Sequence, residues 1–208
     1  MYGARFDNKN IKEYGAIMNY ARITPPAVKE NYIEIPGGDS SIDLTEAVGG
    51  ITYCDGLMEF KFTLFDFCKK ESMKNYLHGK RMNIILEREP EVYYEGRVSC
   101  NMDIWLGTWY ELGFTARVRP YKWEIHETIH ADSVNDDTKE VILVNTRKPV
   151  IPKIIVIGNI NILYEGKRYI MQEGVYQSPE LTLYEGINKL EISGQGSYKI
   201  IYRKGRLI

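Results

Sequence analysis

Between residues 57 and 66 the apolar side chains of Met58, Phe60, Phe62 and Leu64 alternate with Glu59, Lys61 and Thr63. A period of two puts the apolar groups on one face of an extended strand and the polar groups on the other. A helix would scatter them around its circumference, so this stretch commits the chain to a half-buried sheet. The runs at 81–87 (RMNIILE), 92–103 and 106–119 are also rich in Val, Ile, Tyr, Trp and Phe, the residues that suit a pleated surface. The segment WLGTWYELGF joins the last two through a glycine and predicts a hairpin. One short helix is predicted over 69–78 (KKESMKNYLH). Met73 and Leu77 lie one turn apart there, three lysines face away from them, and Gly79 follows as a stop.

Composition shifts at 131–140, ADSVNDDTKE, which is polar, acidic and free of large apolar groups. It reads as a linker or surface loop. Strand patterning then resumes at 141–145, 153–157, 160–164, 167–171, 181–183, 188–193 and 198–203. Pro149 and Pro152 mark a break, because proline cannot donate to a central ladder. Glu165-Gly166 predicts a tight hairpin turn. The expected organisation is a β-rich unit over 1–130 carrying the helix, a linker over 131–140, and a small β-sandwich over 141–208.

The charge balance narrows the function. Twenty-seven Lys and Arg against 28 Asp and Glu give a net charge of −1, so no global basic field concentrates nucleic acid or anionic lipid. Cys54, Cys68 and Cys100 are odd in number, widely spaced and without a CxxC pair. They predict free thiols rather than a disulfide framework or a zinc knuckle. No apolar run reaches the length of a membrane span. The opening MYGARFDNKN has no apolar h-region, and assembly in a cytoplasm is expected.

Residues 37–56 form the longest predicted loop, entered through the turn Pro36-Gly37-Gly38-Asp39 and rich in Gly and Asp. A loop of that length inside a compact β domain is uncommon unless it has a role. Gly37, Gly38, Asp39 and Asp43 are the candidate residues of an inter-subunit loop. Sheet edges must be capped, charged or paired, and such a loop could cover a neighbour's edge. His126-Glu127-Thr128-Ile129-His130 matches H-E-x-x-H, a zinc motif that works only on a helix. Here a strand-like run precedes it and an acidic stretch follows, so no metal site is assigned. There is no Gly-rich phosphate loop and no G-x-S-x-G. No catalytic residue and no cofactor are expected.

Several segments, taken in order, resemble a known family. They are YGARFDNKNIKEYGAIM, IEIPGGDSSID, the strand at 57–66, and HGKRMNIILEREPEVYYEGRVS with Tyr93, Tyr94, Gly96, Arg97 and Val98. The strand at 110–119 with Pro120 follows, then NTRKPVIPKIIVIG and GVYQSPELTLYEGINKLEISGQGSYKIIYRKGRLI. This series resembles the distal tail proteins of long-tailed bacteriophages and related prophages. Its motifs are Gly, Pro and apolar spacing rather than reactive groups.

The resemblance implies a mainly β structural protein. Its N-terminal unit is a tail-tube-like β-sandwich that forms a hexameric ring, and its C-terminal unit is a galectin-like β-sandwich. The implied partners are other copies of the chain, the tail tube protein, and a tail-tip or tail-associated fibre or lysin protein. DNA passes through the channel without specific binding, no membrane is involved, and the place is the virion tail. The alternative is a carbohydrate-binding β-sandwich for host-surface recognition. It would need an exposed aromatic platform, for which Tyr164, Tyr169, Tyr176 and Tyr184 are available.

Overall fold

The computed structural model describes residues 3–47 and 49–208. The opening Met1 and Tyr2, and Val48 of the expected loop, lie outside the described residues. The chain divides into two compact units, Met1–Lys122 with Ile208, and Trp123–Leu207. Its strands are β1 (Ala4–Phe6), β2 (Lys9–Asn10), β3 (Ile17–Thr24), β4 (Tyr32–Glu34), β5 (Ser41–Asp43), β6 (Gly56–Leu64), β7 (Arg81–Leu86), β8 (Val92–Trp105), β9 (Tyr110–Val118), β10 (Tyr121–Glu124), β11 (Thr128–Asn145), β12 (Lys153–Tyr164), β13 (Lys167–Met171), β14 (Gly174–Tyr176), β15 (Gly186–Tyr202) and β16 (Gly205–Leu207). The helix α1 spans Phe67–Leu77.

In the first unit the strands run antiparallel in the order β2-β1-β7-β8-β9-β6-β3. The alternation in β6 does what its period requires: Met58, Phe60, Phe62 and Leu64 are buried. Leu112, Phe114, Ala116 and Val118 of β9 continue that face. Phe6 of β1 meets Phe60 of β6 with ring centroids 5.4 Å apart. Four strand spacings separate β1 from β6, about 19 Å in a flat sheet. The sheet therefore curls over its own inner face and closes a two-layered core.

Asp66 caps α1, its carboxylate accepting from the Lys69 amide at 3.0 Å, so the helix starts at Phe67, two residues before the predicted 69. Met73 and Leu77 are buried as their spacing requires. Lys70 departs from the expectation of three exposed lysines. It is buried with its ammonium 2.7 Å from Glu71 and 3.1 Å from Asp103.

The second unit corrects the expected linker. Residues 131–140 are not a linker but the middle of β11, paired with β15 from Thr128↔Tyr202 to Asn145↔Gly186. The division of the chain falls between Lys122 and Trp123 instead. The polar stretch hides a strand because it holds a bulge between Asn135 and Thr138, with Asp136 at φ 57°. One extra residue reverses the facing parity. Val134 faces the core before the bulge, Val141 and Leu143 after it.

Two other predicted breaks are bends inside single strands. The predicted 153–157 and 160–164 are both β12, and 188–193 and all but Arg203 of 198–203 are both β15. Gly158 (φ 93°) and Gly194 (φ 118°) sit at those bends. A Cβ on Gly158 would lie 2.6 Å from the Gln195 carbonyl oxygen, and one on Gly194 2.5 Å from that of Asn159. Only glycine fits so close an approach in that conformation. The sheet β11-β15-β12-β13, with β14 on β12, thus folds along one crease. Ile154 and Val156 on one side of it share a core with Ile160 and Ile162 on the other. The predicted strand at 181–183 is a 3-10 turn, Pro179–Leu181, followed by a single bridge from Leu183 to Val150. The Glu165-Gly166 turn falls where predicted, between the paired Tyr164 and Lys167.

Candidate assembly surfaces

The predicted loop is a ribbon. Between β3 and β6 the chain runs out and back as two antiparallel segments. The Cys54 amide donates to the Ala27 carbonyl at 2.8 Å and the Lys29 amide to Thr52 at 2.9 Å. Further out, β4 pairs with β5 as Tyr32↔Asp43, Ile33↔Ile42 and Glu34↔Ser41. Gly37, Gly38 and Asp39 form the turn at the tip, with the Gly38 amide donating to the Ile35 carbonyl at 3.0 Å. Asp43 is not with them. It lies back along β5, where its carboxylate accepts from the Thr45 amide at 2.9 Å.

Directly paired residues share a face, so the arm has two unlike faces. One carries Ile33, Ile35 and Ile42, each about half exposed at 51%, 45% and 49%. The other carries Tyr32, Glu34 and Asp43, and Glu30 joins them beside a notch of about 370 Å³. The Asp43 carboxylate, and then that of Glu30, hold the Tyr32 hydroxyl above its ordinary pKa. Hydrogen bonds from Thr45 hold Asp43 below the usual carboxylate value. A two-stranded ribbon has no core of its own, and exposed isoleucines gathered on one face mark a contact surface.

The outer face of the first sheet carries a second feature. Arg81 on β7 stands opposite Arg97 on β8, and Arg97 stands opposite Arg117 on β9. With Arg119 they line a cleft of about 610 Å³. Glu95 takes Arg81 at 2.6 Å and Arg119 at 3.3 Å, and Asp55 takes Arg117 at 2.8 Å. Arg97 donates to the Gly79 carbonyl at 2.5 Å and has no carboxylate within ion-pair distance among the described residues. Sequence reasoning missed this row because its members come from three strands whose register the sequence does not reveal.

A third surface lies at the β8–β9 hairpin. Trp105 (53% exposed), Leu106, Trp109, Phe65 and Phe67 stand open there. The Tyr110 ring packs 4.5 Å from Trp105 and 6.0 Å from Phe67.

The remaining candidates resolve plainly. His126 lies in a bend and His130 on β11, so the H-E-x-x-H residues are not on a helix, and Glu127 pairs with Arg203 at 3.3 Å. No group of three or more metal-ligating side chains occurs among the described residues. The three cysteines are free, and burial pushes the Cys100 thiol up. Of the four tyrosines considered for a sugar platform, Tyr164 is buried, Tyr169 and Tyr176 pack against the core, and Tyr184 is exposed. No helix among the described residues is long and apolar enough to cross a membrane.

The chain thus carries a curled antiparallel unit with one helix and, after it in sequence, a folded-sheet sandwich. A solved structure with this fold is the Dit protein of phage SPP1, described as a paradigm of the hub adsorption apparatus in phages infecting Gram-positive bacteria; the TM-score is 0.71 at 14% identity, over 99% of each chain. Neither a family model nor a curated protein sequence matches the chain.

Proposed function

We propose that this chain is the subunit of a distal tail hub, a ring that joins a phage tail tube to the tail-tip or baseplate proteins and leaves a channel for DNA. The likeness to the SPP1 hub protein over 99% of both chains carries this reading. Two observations support it. The arm has exposed apolar and acidic faces and needs a partner, and the chain's net charge of −1 gives passing DNA no general grip. The ring is a hexamer in this reading, the first unit builds it, and the arm lies over a neighbouring copy. The protein acts by assembly rather than by catalysis, in the virion tail, against tube and tip proteins.

The test is the mass of the purified chain in solution, with negative-stain images of the same sample. A hexamer imaged as a ring with a central hole is the expected result. A monomer that binds glycans would overturn the reading in favour of a carbohydrate-binding module. Deleting residues 40–47 without disturbing assembly would remove the arm from it.

A further inference from the structure

Three arginines stand in a row across adjacent strands of the first sheet, Arg81, Arg97 and Arg117, each directly opposite the next. Like charges in directly opposed positions repel and destabilise a sheet. Glu95 and Asp55 supply two carboxylates against the four guanidinium groups of the cleft. The cleft is left with an excess of positive charge, centred on Arg97.

The arm carries the opposite pattern. Glu30 and Glu34 have no cation within ion-pair distance among the described residues. Tyr32 and Glu34 share one face of β4, Asp43 stands opposite the tyrosine on β5, and Glu30 lines the same notch as Tyr32 and Asp43, so three carboxylates gather on this side of the arm. The arginine row, crossing three strands, spans about 10 Å. The two charge arrays are opposite in sign.

We propose that the acidic face of the arm seats in the arginine row of a second copy of this chain. The inference rests on the hub reading and names the surface the arm takes. The chain's own arm does not fill its own cleft: Tyr32, Ile33 and Ile42 are about half exposed, and Glu30, Glu34 and Asp43 are exposed too. Arm and cleft share a corner, since Asp55 lines the cleft and directly follows the arm's Cys54. A surface on one side of a copy that meets a different surface on the next makes a head-to-tail contact, the kind that closes rings. Charge complementarity of this sort fixes register and speeds encounter.

The experiment uses the full chain and three variants: Arg97→Glu; Glu30→Lys with Glu34→Lys; and all three substitutions together. Self-association is measured by sedimentation at low and high salt, and thermal melting checks the fold. Each reversal alone is expected to weaken association by roughly tenfold or more, and the triple variant to recover it. Association of the unaltered chain is expected to fall as salt rises. An assembly that survives both reversals but is lost on deleting residues 40–47 overturns the arginine row and leaves the hub reading standing. A chain that stays monomeric at every attainable concentration overturns both. Retention of short duplex DNA that Arg97→Glu abolishes, with association unchanged, also overturns the proposal and assigns the row to nucleic acid.

Discussion

The ammonium of Lys70, on the first turn of α1, lies 3.1 Å from the Asp103 carboxylate on β8, and so ties the helix to the outer end of its sheet. Lys74 reaches the same carboxylate at 2.7 Å, while Tyr110 offers its ring 4.8 Å from the Lys70 nitrogen. Burial pushes the Asp103 carboxyl up, but the hydrogen bonds from Lys74 and Lys70 outweigh it and leave the group below its ordinary value.

Replacing Asp103 by Ala leaves the buried ammonium of Lys70 with Glu71 as its remaining carboxylate partner and is expected to cost about 2 kcal/mol. Lys70→Met, which removes the charge and keeps the volume, should cost about 1 kcal/mol or less. Urea unfolding midpoints of the two variants test the ordering. Asp103 is held below its unfolded value, so its contribution is complete above an unfolded carboxylate pKa of about 3.9 and is lost as pH falls through the folded value. The Asp103→Ala chain should therefore lose less stability than the unaltered chain on acidification below about pH 4.

Gly158→Ala places a Cβ 2.6 Å from the Gln195 carbonyl oxygen in a left-handed conformation. The expected loss is about 2 kcal/mol or more. Thermal melting followed by near-ultraviolet dichroism should show it, because Tyr198 and Tyr202 lie on the strand beyond the crease.

Ile33→Asp with Ile42→Asp alters paired and half-exposed positions of the arm. Fold stability should change by about 0.5 kcal/mol or less, as for most surface substitutions. Assembly should fail, since the apolar face of the ribbon becomes charged. Melting and sedimentation on the same sample separate the two effects.

Asn188 is buried, accepting from the Tyr164 hydroxyl at 2.8 Å and the Tyr184 amide at 2.9 Å, and donating to the Tyr184 carbonyl at 2.9 Å. Asn188→Ala leaves several of these partners unmet and should cost about 2–3 kcal/mol, against about 1 for Tyr164→Phe. Burial pushes Tyr164 up to about 12, whereas an unfolded tyrosine ionises near pH 10. The unfolded state releases its proton first, so stability falls across that interval as pH rises. The Tyr164→Phe chain should show a shallower alkaline decline.

The parts of the fold that the sequence made legible are those where one period runs unbroken. Met58 to Leu64 keep strict alternation and named their strand, and Gly79 stopped the helix where expected. β11 was illegible because its bulge at Asp136 switches the facing parity midway, so neither half of ADSVNDDTKE looks amphipathic. The predicted breaks after 157 and 193 fall at Gly158 and Gly194, and a glycine permits a bend as readily as an end. At the arm the turn was readable from Pro36-Gly37-Gly38, but which residues face each other across the ribbon depends on register. Gly37, Gly38 and Asp39 mark its tip, while Ile33, Ile35 and Ile42 carry its apolar face. The arginine row needed the same missing information, since only pairing brings Arg81, Arg97 and Arg117 into line.

β15 lies between β11 and β12 in space but follows both in the chain. As a ribosome extends the polypeptide, the two flanking strands emerge first and leave a vacant slot between them. Until residues 186–202 are made, both present unsatisfied ladder edges, the surface through which chains aggregate. The second unit thus cannot complete its sheet until that last long strand is made. Synthesis halted before β15 should yield a chain whose first unit can close while the second remains an open frame.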